Sequence, residues 1–100
     1  MIKTEFKHIV FEAAGEGPFG KPAWSCFNRK ELKSARENGR TSAVALSWIY
    51  WYKPWKDWAM VSHENAVWSQ NCLHDMAEFM DGLKALAAAR RIQRQRRVQR

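Results

Sequence analysis

Nowhere does this chain approach the roughly 20 consecutive apolar residues that span a bilayer. Its opening, MIKTEFKHIVFE, puts charges where a secretion signal needs an unbroken apolar segment. The expectation is a soluble, cytoplasmic protein with no membrane partner. Cysteine is scarce as well. Cys26 and Cys72 lie far apart without a spacing motif, which suits neither a secreted disulfide framework nor half of a zinc site. They read as buried thiols.

Acid is missing from one region only. All ten Asp and Glu precede residue 84, whereas seven of the 17 Lys and Arg follow residue 83. The first 83 residues are therefore neutral, and the last 17 carry the entire net charge of +7. Such asymmetry divides the chain into a neutral core domain, residues 1–83, and a basic extension, residues 84–100. One hundred residues suffice for one compact core and not for two. With 46% hydrophobic and 13% aromatic residues, the chain has the bulky side chains that offset ordering entropy.

Periodicity predicts an α+β fold: an antiparallel sheet of about four strands in two hairpins, with a short helix and a long C-terminal helix packed on it. Residues 2–12 alternate as a first strand. Gly15, Gly17, Pro18, Gly20 and Pro22 then reverse the chain into a second, Ala23–Phe27. Asn28 followed by Glu31 starts a helix over 29–38, and Gly39 ends it. From Ser42 to Tyr52 the large residues Val44, Leu46, Trp48, Tyr50 and Tyr52 share one face. Pro54 marks a turn, and Asp57–Ser62 returns as the fourth strand. Ser69 caps a final helix whose stripe is Cys72, Met76, Phe79, Met80, Leu83, Leu86 and Ala87. The predicted core contains Phe6, Val10, Val44, Leu46, Leu73, Met76, Met80 and Leu83. The last turns of the helix are predicted to overhang the body.

Within AAARRIQRQRRVQR, arginine supplies planar, permanently charged forks suited to phosphate and guanine edges. On a helix Arg90, Arg94 and Arg97 form one line with Arg91 beside it; Arg96 and Arg100 complete the basic set. The segment resembles the arginine-rich helices of viral RNA-binding peptides over about ten residues, and that resemblance implies nucleic acid as the partner. A competing reading makes the run a solvated tail that keeps a Trp-rich domain in solution.

Aromatic residues form the second cluster: Trp48, Tyr50, Trp51, Tyr52, Trp55 and Trp58, interrupted by Lys53 and Lys56. Such a hairpin can stack unpaired bases between rings and hold phosphates with its lysines. Alternation puts neighbours on opposite faces, so if Trp48, Tyr50 and Trp58 pack under the final helix, Trp51 and Trp55 remain outside as contacts. Exposed Trp also anchors protein interfaces.

Gly15-Glu16-Gly17-Pro18-Phe19-Gly20 matches G-x-G-x-x-G, but no helix follows it and no kinase element lies downstream, so it reads as a hairpin loop. Cys26, His63, Cys72 and His74 lack metal-ligand spacing. His63 beside Glu64 and His74 beside Asp75 come with no nucleophile motif. The expectation is a non-enzymatic binding protein without cofactor or metal, acting on nucleic acid or a nucleic-acid-handling assembly. Its binding residues are Arg90, Arg91, Arg94, Arg96, Arg97, Arg100, Trp51, Trp55, Lys53 and Lys56. The alternative is a small accessory or inhibitor protein, of the kind phages and mobile elements encode, that docks on an acidic surface of a larger host protein.

Overall fold

The computed structural model describes residues 2–39 and 44–98, with side chains to residue 96. It is an α+β arrangement of four strands and two helices: β1 (Ile9–Glu16), β2 (Pro22–Asn28), α1 (Arg29–Glu37), β3 (Ser47–Tyr52), β4 (Asp57–Ser62) and α2 (Gln70–Val98). The strands lie in the order β1-β2-β3-β4, each antiparallel to the next. Both hairpins form, and α1 bridges them.

Local chemistry sets the helix ends. Asn28 Oδ1 accepts from the Glu31 backbone N–H at 2.9 Å, satisfying one donor that the first turn of α1 leaves free. Gly39, at φ +71°, takes the left-handed conformation that follows the helix. Ser69 Oγ accepts from the Cys72 N–H at 3.1 Å and does the same for α2.

The first strand starts later than the alternation predicts. Residues 2–8 are not its beginning: the Phe6 N–H donates to the Ile9 carbonyl at 2.9 Å, and the chain turns back so that Glu5 bridges Val10. Burial of Phe6 drives the turn, because its ring packs edge-on against Phe11 at 5.7 Å instead of extending a strand. Ile9, Val10 and Phe11 are then buried in succession, which requires cover on both sides of the sheet.

That cover comes from the two helices. Ile9 and Phe11 join Cys26, Ile49, Met76, Phe79 and Leu83 in the main core under α2. Arg36 of α1 pairs with Glu12, which shares the face of Val10, while Leu32 and Ala35 are buried apart from the main core. Helix α1 therefore covers the Val10 face beside β1 and β2, and among the described residues no helix covers the same face of β3 and β4.

The third strand departs from expectation in length and in facing. Ser42 and Ala43 fall outside the described residues, and Val44–Leu46 are not strand, although Leu46 still donates to the Cys26 carbonyl at 2.7 Å. Val44, predicted in the core, is exposed. The residues that face α2 are Ser47, Ile49 and Trp51, because their register partners Cys26, Trp24, Met60 and Trp58 belong to or pack on that core. Trp48, Tyr50 and Tyr52 occupy the other face, the reverse of the predicted assignment.

Along α2 the buried residues are Met76, Phe79 and Leu83, with Cys72, Met80, Leu86 and Ala87 half-buried beside them. The predicted stripe is present. Leu73 lies about 60° from the Met76 line, but it sits in the first turn, ahead of the residues that α2 buries, and is 47% exposed. Leu46 and Met80 are half-buried against the core rather than inside it. Gly82 has a packing role, since a Cβ there would sit 3.1 Å from Ile2 Cγ1, so its absence lets the N-terminal segment cross the helix. From residue 88 to residue 96 every α2 side chain is exposed. A 29-residue helix is about 44 Å long, and the molecule measures 53 × 28 × 25 Å, so the last turns overhang the sheet.

Candidate aromatic and arginine cleft

Where α2 leaves the sheet, a cleft of about 440 Å³ opens beneath it. Its floor is built by strand register. Trp51 and Trp58 are direct cross-strand partners and meet edge to face, with centroids 5.9 Å apart and planes at 78°. Trp24, the partner of Ile49, lies on the same face and packs edge-on against Phe79 at 5.3 Å. Three indoles from three strands thus line one site. All three are half-buried, so each is held by neighbours and still offers surface.

One wall is the β1–β2 turn. The Gly17 N–H donates to the Lys21 carbonyl at 2.7 Å, and Gly20 supplies the left-handed φ of +78° that closes the turn. Gly17 is itself pressed on the sheet, because a Cβ there would come within 3.1 Å of Tyr50 Cβ. This packing delivers Lys21 and Pro22 to the cleft. Lys21 Nζ stands 4.5 Å from the Trp51 ring centroid, a cation–π contact on an open indole face.

The other wall is α2, with Leu83, Leu86 and Ala87 at the closed end and Arg90, Arg91 and Arg94 toward solvent. These arginines continue the docking stripe. At about 100° per residue, Arg90, Arg91 and Arg94 fall within about 60° of the line through Met76. One helix face is therefore apolar while it lies on the sheet and becomes basic where it passes the end. Lys84 Nζ reaches Asp57 Oδ1 at 3.2 Å and ties the helix to the start of β4 just before the change. No acidic residue lines the cleft among those described, so four cations face three indoles without compensation.

Of the residues singled out in the sequence, the structure brings Trp51, Arg90, Arg91 and Arg94 together. Trp51 does not stand outside the sheet's packed face as expected; it lies on the side of α2. Trp48 and Tyr50, expected under α2, lie on the opposite face, while Trp58 is under it as expected. Trp55, Lys53 and Lys56 are exposed on the single 3₁₀ turn at the β3–β4 tip and do not line the cleft. Trp55 is 74% exposed, its ring edge-on to Tyr52 at 4.9 Å. Arg96 is exposed about 160° around the helix from Arg94. The Arg97 side chain and Arg100 lie outside the described residues. Lys21, Pro22 and Trp24 went unsignalled as site residues, because only the β2–β3 register places them there.

The opposite sheet face carries a separate aromatic group. Trp48 and Val61 are cross-strand partners and both exposed, and Phe19 sits edge-on to Tyr52 at 5.8 Å. Away from either surface, burial pushes the Cys26 thiol up to about 12, partly offset by the Ser47 hydroxyl beside it and reinforced slightly by Cys72. A thiol so shielded is protonated at neutral pH and inert as a nucleophile. His63 Nδ1 accepts from the Asn65 N–H at 3.2 Å in a local turn. No group of three metal-ligating side chains gathers among the described residues, and no described helix is long and apolar enough to cross a membrane. Neither family models nor curated proteins nor solved structures show a match to this chain.

Proposed function

We propose that the protein is a non-catalytic nucleic-acid-binding protein whose contact surface is the arginine face of α2 together with the indole floor beneath it. The observation that carries this reading is the conversion of the α2 docking stripe into Arg90, Arg91 and Arg94 at the point where Trp24, Trp51 and Trp58 become accessible. Guanidinium groups pair with phosphate oxygens in two-pronged hydrogen bonds. Indoles supply flat apolar surface for bases. On this reading the protein acts in the cytoplasm, a reducing compartment that suits its two free cysteines.

Titration of the full-length chain with a single-stranded oligonucleotide at several salt concentrations tests the proposal. Phosphate neutralisation predicts a linear fall of log K with log salt at about −0.7 per contact, or about −2.8 if Lys21 and the three arginines all engage. The combined variant R90A/R91A/R94A should remove most of that slope. A dissociation constant weaker than about 10⁻⁴ M at physiological salt, the limit of non-specific affinity, contradicts it.

The exposed Trp48, Val61 and Trp55 favour a second reading, an accessory protein that docks on a larger host protein through this face. Aromatic anchors are typical of such interfaces. Under that reading Trp48→Ala abolishes partner capture and R90A/R91A/R94A does not.

A further inference from the structure

We infer that the cleft accepts an unpaired nucleotide, its base on the indole floor and its phosphate on the arginine wall, so that the protein selects single strands over duplex. This deepens the nucleic-acid reading and rests on it. The two walls differ in chemistry and face each other: indoles from β2, β3 and β4 below, guanidinium groups from α2 above. A ligand filling that space has a flat aromatic part and an anionic part joined a short distance apart. A nucleotide unit of a strand combines both.

Paired bases present only their edges in the grooves, so a duplex can meet the arginines but cannot place a base face on Trp51. An unpaired base can. The volume, about 440 Å³, falls within the range of about 300–1,000 Å³ that holds small ligands. This is room for an inserted unit and not for a double helix.

Lys21, a flexible side chain, is the group found over the Trp51 ring. An incoming base displaces the ammonium from the indole, and the ammonium then moves to the phosphate beside it, so the charge is retained in the complex. Trp58 stands perpendicular to Trp51 and closes the end of the stack. Trp55 and Trp48 do not line this cleft with the arginines.

The test compares three probes of equal length on the full-length protein at one salt concentration: a single-stranded oligonucleotide, the same strand with abasic sites throughout, and its duplex. The abasic strand keeps the phosphates and lacks the bases. Stacking of one base predicts about 10-fold tighter binding of the intact strand than of the abasic strand, with quenching of Trp emission. Trp51→Ala should erase that preference. Trp51→Phe, which retains a stacking ring and guards against loss of fold, should keep most of it. Equal affinity for intact and abasic strands, or tighter binding of duplex than of single strand, overturns this inference while the broader nucleic-acid reading stands. Failure of all three probes to bind overturns both and leaves the cleft to an acidic, aromatic peptide of a protein partner.

Discussion

Arg94 lies about five turns beyond Met76 on the same line of α2. Met76 is buried against the sheet, and Arg94 lines the cleft past its end. A helix of uniform pattern would either dock along its whole length or project as a detached tail. This one changes from apolar to cationic along a single face, so Arg90, Arg91 and Arg94 line the cleft with the indoles while remaining exposed.

The docking half of that face makes a stability prediction. Phe79 is 1% exposed, stacked on Phe11 with centroids 3.8 Å apart and planes at 5°, and edge-on to Trp24. Phe79→Ala should cost about 3–5 kcal/mol, a large share of the ~5–15 kcal/mol that holds a domain. Leu73→Ala, at a half-exposed flank, should cost less than about 1 kcal/mol. Urea denaturation of the two variants checks the pair, and comparable losses would mean that the helix docks on a different line.

Ser47 makes a prediction of opposite sign. Its hydroxyl is fully buried in the α2 core and has no hydrogen-bond partner of good geometry, the neighbouring thiol of Cys26 being a weak one. An unpaired buried hydroxyl costs about 1–3 kcal/mol. Ser47→Ala should therefore be neutral or raise the melting temperature. A drop of several degrees would show that the hydroxyl–thiol contact is worth more than its geometry suggests.

Cys26 links stability to alkaline pH. Its thiol is raised to about 12 in the folded protein, whereas an exposed thiol ionises near about 8.5. The folded state thus holds a proton that the unfolded state releases, and stability falls as pH rises between those values. Other groups titrate in that window, so the comparison is with Cys26→Ala. The stability advantage of the unsubstituted protein should be full below about pH 8 and shrink by up to about 1.4 kcal/mol per pH unit above it. Thiol reagents at pH 7 should label half-buried Cys72 readily and Cys26 only on unfolding. Equal labelling rates contradict the burial.

Features decided within a few residues were legible before the structure. Asn28, Gly39 and Ser69 each act on their own turn of backbone, and each does what its residue type implies. The facing of β3 was not legible, because both alternating sets in SWIYWY contain large apolar rings. Size favoured the row of Trp48, Tyr50 and Tyr52 for the core. The structure buries the row with Ser47 and Ile49 instead, since Phe11, Phe79 and Trp24 already fill the space and leave room beside them for small Ser47 and Cys26. Arg90, Arg91, Arg94 and Trp51 stood out in the sequence, and the structure gathers them in one cleft. Their company with Lys21 and Trp24 was not, because it depends on pairing across β2 and β3.

On the proposed nucleic-acid reading, position on the helix, not charge alone, makes the binding wall. Arg94→Gln and Arg96→Gln each remove one charge from the same exposed segment, and only Arg94 lines the cleft. Affinity for a single-stranded oligonucleotide, measured for both variants across a salt series, separates position from charge. Arg94→Gln should weaken binding about 3- to 10-fold and reduce the salt slope by about 0.7, while Arg96→Gln should stay within about twofold of the unsubstituted protein. Equal losses in the two variants would mean that the segment acts as an undirected cationic tail, and would contradict it.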